Sequence, residues 1–318
     1  MSGSQVAYVV GMLVEHPKRP AWGPGKVLAI GGVDGKKITV YFRDFEEKNE
    51  ENNLNRAVKK IDTTKVQLRV ADIQTDPMLD NLPPFTNDAF KSTKPRASLE
   101  QGESIFLKYF PAGFKDPKYI ERERAMKLRA CSLYADTLGD GKAEKLLKAG
   151  DIGEVRDLAL KVLAETGFLL FLTESMAFRD GLKDDEAAHR FFKALFTLLS
   201  SGLDEERFDA LKEALQLMPV EGKTGPVKWT VATILPFLAQ PHRHFFMKPE
   251  SIKAGAELLR FDIQYRPDPN WITYSKVLEL ANLLLARLRH LGASDMIDVQ
   301  TFMYVIWADW KWGILYNE

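Results

Sequence analysis

The densest group of chemically capable side chains lies in "PHRHFFMKPES", residues 241–251. His242 and His244 stand two positions apart. On a strand that spacing puts both imidazoles on one face, where they could hold a metal ion. No carboxylate pair nearby completes such a site, and the chain has only 5 histidines, so no metal is assigned. Arg243, His244 and Lys248 offer a second chemistry. They precede a helix expected to begin near Pro249, and its free N–H groups together with these cations suit a phosphate or carboxylate. These three residues form the candidate anion site. The plain alternative is a loop whose polar groups cap the helix and pair locally.

Other motifs carry less. Gly222-Lys223-Thr224 evokes a phosphate loop, but the upstream glycine of that pattern is missing, so the stretch is read as a connection between helices. Asp184-Asp185-Glu186 and Asp204-Glu205-Glu206 sit where helices should start and favour the helix dipole without any metal. Cys131, the single cysteine, falls on an expected helix among apolar neighbours, the setting of an inert thiol. It excludes an internal disulfide and a cysteine zinc cluster. Ser175 has no histidine close in sequence and no nucleophile-elbow pattern around it. Trp307, Trp310, Trp312 and Tyr316 could line a ligand pocket, although at helical spacing such residues usually serve as core or docking anchors. No catalytic residue and no cofactor is assigned.

A different kind of site is offered by "HPKRPAWGPGKV", residues 16–27. Lys18, Arg19, Trp22 and Lys26 could share one exposed rim. An aromatic ring among cations suits phosphate contact with base stacking, or an acidic protein surface. Alternatively, Trp22 simply closes the end of a small core.

These residues must be positioned by short strands. "MLVEH" (12–16), "KVLAI" (26–30) and "KITVYF" (37–42) are strand candidates. In the last, Ile38, Val40 and Phe42 alternate with Lys37, Thr39 and Tyr41. Asp34-Gly35 marks a hairpin turn between the second and third. "FEEKNEENNLNR" reads as a polar, acidic loop. "AVKKIDTTKVQLRV" supplies a fourth run with Val58, Ile61, Val66, Leu68 and Val70. Four or five short strands within about seventy residues suggest a small antiparallel barrel.

The pattern "GMLVEHPKRPAWGPGKVLAI…GKKITVYF" resembles the small Tudor-like, SH3-type barrels of the DUF3553 family over about residues 6–70. Such barrels are similar to the C-terminal module of the UvrD/PcrA helicases and, more distantly, to the CarD/TRCF barrel. The residues that carry the resemblance are His16, Pro17, Trp22, Gly23, Gly25, Val27, Val40 and Phe42. The acidic insert after Phe42 is longer than the family's compact turn. The resemblance implies a docking module for a polymerase, helicase or nucleic-acid complex, and no catalysis.

"QTDPMLDNLPPFTNDAFKSTKPRAS" (74–98) reads as an extended linker or a strap laid over one domain. The remainder is helical. Helices are expected from Pro117 to about Leu138; from Asp151, with Glu154 completing a capping box and Gly167 a stop; and over 184–201, with Phe192, Leu195, Phe196 and Leu199 on one face. Another starts after Asp204. "PVKWTVATILPFLAQ" is apolar all round, so it should be buried, with a kink or break at Pro236. A helix from Thr273 carries a stripe of Val277, Leu280, Leu284, Leu288 and Leu291 and ends at Gly292. The last is capped by Ser294. Seven or more helices on short loops suggest an irregular bundle.

The expected fold class is therefore α+β and multidomain: a Tudor-like β-barrel (1–75), a Pro-rich linker or strap (76–98) and a helical domain (99–318). The 44 basic residues balance 44 acidic ones, which argues against nucleic-acid binding through overall charge. Within 1–75 there are 12 basic and 9 acidic residues, a surplus too small for strong direct binding. The longest apolar runs, such as Phe168–Leu172, fall far short of a membrane span, and no leader pattern opens the sequence. The expectation is a cytoplasmic, non-enzymatic adaptor with a protein partner and at most weak or indirect nucleic-acid contact. The alternatives are a nuclease or other phosphodiester enzyme acting through Arg243, His244 and Lys248, and a structural subunit of a larger assembly.

Overall fold

The computed structural model describes residues 7–31, 36–45, 57–82, 84–86, 88–90, 98–167, 169–220 and 225–313. The Asp34-Gly35 turn, the acidic stretch 46–56, Gly222-Lys223-Thr224 and Tyr316 lie outside them. The chain divides into two units, Met1–Glu100 with Glu257–Asp262, and Gln101–Ala256 with Ile263–Glu318.

The first unit is a five-stranded antiparallel sheet, β1 (Leu13–Glu15), β2 (Pro24–Gly31), β3 (Lys37–Phe42), β4 (Val58–Asp62) and β5 (Arg69–Val70), in the order β4-β3-β2-β1-β5. The register sets Val27 opposite Val40 and Gly25 opposite Phe42, with a bulge between Val27 and Ala29. Gly25 is required there. A Cβ at this position would lie 2.7 Å from the Phe42 ring and 2.8 Å from the Tyr41 carbonyl oxygen.

Strand alternation puts Ile38, Val40 and Phe42 on one face, where they pack with Val14, Val27 and Leu68. The opposite face differs from expectation. Thr39 and Tyr41 are buried rather than exposed. Residues 76–90 are the cause. They form a short helix, α1 (Pro77–Asp80), and a two-stranded ribbon, β6 (Phe85–Thr86) with β7 (Ala89–Phe90). Leu79 and Phe90 join Leu13, Tyr41, Ala57 and Ala71 in a second core cluster. A sheet apolar on both faces needs cover on both, and this segment covers one of them.

The helical part of the chain makes up the second unit, except that Leu99–Glu100 and Glu257–Leu259, the ends of two helices, count with the first. Its elements are α2 (Leu99–Tyr109), α3 (Pro117–Tyr119), a π-helical turn (Ile120–Arg124), α4 (Ala125–Thr137), α5 (Lys142–Ala149), α6 (Ile152–Ala164), α7 (Leu172–Gly181), α8 (Asp185–Ser201), α9 (Glu205–Gln216), α10 (Trp229–Ala239), α11 (Pro249–Leu259), α12 (Trp271–Arg287) and α13 (Met296–Trp312). The fold is thus α+β, with a β unit followed by helices. α10 is buried from Trp229 to Leu238. It is continuous through Pro236, so the break expected as one outcome there does not occur. It packs against α4, α7, α8 and α9, and this enclosure retains a helix with one backbone donor missing.

The helix starts follow the chemistry of free N–H groups. Asp184 accepts from Ala187 N and Asp204 from Arg207 N, as the sequence suggests. Asp151 precedes α6, but its side chain makes no capping bond. α12 starts at Trp271, capped by Asn270 rather than beginning at Thr273, and α13 is capped by Asp295 rather than Ser294. Among the described residues no helix is long and apolar enough to cross a membrane.

Candidate functional site

The Pro20–Trp22 turn positions Trp22 at the edge of the sheet. Pro20 and the positive φ of Gly23 shape this turn, and a Cβ on Gly23 would collide with the Asp44 carboxylate. The half-buried Trp22 ring lies 5.0 Å from His16, 5.2 Å from Phe42 and 5.1 Å from Phe45, centre to centre. His16 is buried, its Nδ1 accepts from the Lys18 N–H at 3.2 Å, and burial lowers its pKa. The four rings therefore fill one another's space and leave no open cage.

Cations lie over this aromatic group. The Arg19 guanidinium stands 5.9 Å from the Trp22 ring centre, and Lys59 Nζ stands 3.7 Å from that of Phe45. Lys18 and Arg19 are exposed. Lys26 is placed elsewhere. Its Nζ donates to the Leu79 carbonyl at 2.9 Å and stands 3.6 Å from Asp80, so it ties β2 to α1 and leaves the rim. The reason is register: Lys26 opposes Tyr41, and the Tyr41 face is the covered one. The cations over the aromatic edge are thus Arg19 at Trp22 and Lys59 at Phe45; of the other two expected rim residues, Lys18 is exposed and Lys26 is turned away. The Lys59 contact had no sequence signal, because β4 reaches Phe45 only through pairing with β3.

Residues 9–48 match the family described as Protein of unknown function (DUF3553). Comparisons of the chain with curated proteins and with solved structures find no match. The DUF3553 segment contains β1 to β3 and every ring of the aromatic group. It also contains Arg43, which the sequence reading missed. Arg43 donates to both Asp44 oxygens, at 2.9 and 2.8 Å, and to Asp76. Asp76 in turn accepts from Met78 N and Leu79 N at the start of α1. The DUF3553 segment is thereby clamped to the α1 segment that covers it.

The helical unit separates the three residues of the candidate anion site. Residues 241–244 form a turn and extended chain after α10, so His242 and His244 share no strand face. Arg243 and His242 are exposed, whereas His244 is 1% exposed. Burial, then the charge of Arg243 and His242, push the His244 pKa down to about 4. A neutral imidazole turned inward contributes no positive charge to an anion. Lys248 belongs to another neighbourhood. Its Nζ stands 5.7 Å from the Phe171 ring centre, and burial, then the Lys127 charge, lower its pKa. The geometry does not assemble a phosphate site from Arg243, His244 and Lys248.

The polar cluster that the unit does assemble lies at the π-helical turn. Lys127 is fully buried; its Nζ donates to Thr301 at 2.8 Å and to Glu123 at 3.3 Å, and desolvation lowers its pKa. Arg124 bridges Asp295 and Asp298, while Tyr119 donates to Asp298. Ser294 also donates to Asp298, from both N–H and Oγ. The π turn precedes the stretch from which Arg124 and Lys127 reach the N-terminal end of α13, with Glu123 paired to Lys127. These groups are satisfied by one another, and their geometry pins α4 to α13. Cys131, one helical turn beyond Lys127, is pushed up to about 11 by burial, so it stays a thiol at neutral pH. Among the described residues no group of three or more metal-ligating side chains converges.

At the C-terminal end, Trp307 stands edge-on to Trp312 at 5.0 Å and Tyr304 lies 6.0 Å from Trp307, with Lys311 over both tryptophans. These rings form one aromatic group near the C-terminal end of α13.

Proposed function

We propose that the chain is a cytoplasmic adaptor. Its N-terminal β unit docks onto another protein of a nucleic-acid-processing or transcription and repair complex, such as a polymerase or helicase. Its helical unit serves as effector or scaffold. The observation that carries this reading is the distribution of cations around the DUF3553 segment. Lys26 and Arg43 are engaged within the unit, whereas Arg19 and Lys59 lie over the rings of one aromatic edge and Lys18, beside Arg19 in sequence, is exposed. Cations held over aromatic faces stay accessible to carboxylates and keep their charge. Two such groups, with the exposed Lys18 next to Arg19 in sequence, suit an acidic protein segment better than a nucleic-acid backbone, whose tight binding needs many phosphate contacts. The separation of Arg243, His244 and Lys248 gives the phosphodiester-enzyme alternative no support.

The test is affinity capture on the tagged full chain, with and without nuclease, comparing wild type with a Lys18→Glu/Arg19→Glu/Lys59→Glu variant. Trp22 is left intact because its loss would disturb the core. A nuclease-resistant partner captured by wild type and lost from the variant supports the reading. Retention of every partner by the charge-reversed variant refutes it.

A further inference from the structure

α8 and α9 form an antiparallel hairpin joined at Gly202–Asp204, and an open groove of about 500 Å³ runs along its outer side. Its floor is small and apolar: Ala194, Ala210 and Ala214, with Leu217 at one end. Its walls carry opposite charge once local ion pairs are set aside. The α8 wall presents Arg190 and Lys193, and the α9 wall presents Glu206, Arg207 and Glu213. Both arginine charges are met locally, Arg190 by Glu186 and Arg207 by Asp204. Lys193, Glu206 and Glu213 make no ion pair among the described residues. Leu217 and, just beyond α9, Val220 are each 54% exposed.

The heights of these residues follow from the hairpin. Both helices rise about 1.5 Å per residue, so counting back from the turn sets Lys193 level with Glu213. Yet the groove keeps them more than an ion-pair distance apart. A two-fold axis running along the groove, parallel to both helices, preserves each residue's height and exchanges the walls. It lays α8 of one copy over α9 of the other. Lys193 then faces Glu213 of the second copy, twice per pair. All neighbouring helices run antiparallel, which is the arrangement of an up-down four-helix bundle. Alanines on the floor allow the close approach that such packing needs. A two-fold axis across the helices would instead set α8 on α8 and oppose like charges. We infer that this groove is a self-association surface, and that two copies of the chain join through their α8–α9 hairpins into a four-helix bundle.

The size of the surface sets the strength. α9 has 12 residues, about 18 Å of helix, and two helices side by side span about 20 Å. The pair would bury about 700 Å² in total, well under the about 1,200–2,000 Å² of a stable interface. The association should therefore be reversible, with dissociation in the micromolar range or weaker.

Sedimentation of the full chain at micromolar to near-millimolar concentration tests this. Wild type should show a monomer–dimer equilibrium. Lys193→Glu alone and Glu213→Lys alone should each weaken it about tenfold or more, since each reversal acts at two symmetric places. An equimolar mixture of the two variants should recover dimer, because both contacts of the mixed pair again join opposite charges. Both positions are exposed, and circular dichroism will verify that the fold is kept. A wild-type chain that stays monomeric overturns the inference. So does a dimer that neither reversal weakens, or a mixture that fails to recover.

Discussion

Acid should destabilise the helical unit through His244. The folded pKa of about 4 lies below the ordinary value of 6.5. An unfolded chain therefore takes up this proton first as pH falls. No penalty exists above about pH 6.5; it grows between 6.5 and 4 and is complete below 4. At about 1.36 kcal/mol per pH unit, the gap is worth about 3 kcal/mol. That is a sizeable part of the about 5–15 kcal/mol that separates folded from unfolded states. The environment supplies the cause. The ring is 1% exposed, and its Nδ1 has no hydrogen-bond partner among the described residues. Urea unfolding of wild type and His244→Gln at stepped pH from 7 to 4 isolates the effect, because the carboxylates contribute equally to both curves. Wild type should lose about 3 kcal/mol more than the variant over that range. Histidine NMR should find one ring still neutral at pH 5, and that signal should vanish in the variant. Parallel unfolding curves, or a His244 ring that titrates near 6.5, would refute the reasoning.

Four further outcomes follow from the geometry. Trp22→Ala should cost the β unit about 3 kcal/mol by removing packing against His16, Phe42 and Phe45, whereas Arg19→Ala should cost under about 1 kcal/mol; thermal melts separate the two. Asp76→Ala should cost about 2 kcal/mol, because it uncaps α1 and leaves Arg43 short of a partner, and hydrogen exchange at the Met78 and Leu79 amides should accelerate. Glu123→Ala should destabilise the helical unit by about 3 kcal/mol, since it strips the buried Lys127 of its counter-charge. The paired change Lys127→Met/Glu123→Gln should recover most of that loss in the same denaturation assay. Gly25→Ala should lower the melting temperature of the β unit, as its Cβ would press on Phe42 and the Tyr41 carbonyl.

Much of the fold was legible because local rules govern it. "KITVYF" forms a strand over its whole length, 37–42, because its alternation and β-branching suit a pleated sheet. Asp184, Asp204, Gly202 and Gly292 mark helix ends through free backbone groups and positive φ, which need only neighbours in sequence. Capping was less exact where several polar residues compete. Ser294 and Asp295 both could cap α13, and the carboxylate holds the position while Ser294 turns to Asp298.

The candidate sites were less legible. "HPKRPAWGPGKV" places Arg19 beside Trp22, a local matter that spacing can reach. It does not reveal that Lys26 turns to Leu79 or that Lys59 arrives over Phe45, since both depend on which strand lies beside which. Likewise, "PHRHFFMKP" offers three cations on paper. Whether they converge depends on how the chain turns after α10, and burial removes His244 from that set.

By itself, then, the sequence determined the order of a β part and a helical part, the strands and most helices, the closeness of Arg19 to Trp22 and the DUF3553 likeness. These rest on periodicity, turn chemistry and short-range spacing. Tertiary structure alone decided that the expected linker or strap packs on the Tyr41 face through Leu79 and Phe90, that Lys127, Glu123 and Thr301 meet in the interior, and that Lys193 and Glu213 stand without ion pairs on opposite walls of one groove. Those facts depend on contacts between residues far apart in the chain, and on the cost of burying charge. No local pattern encodes either.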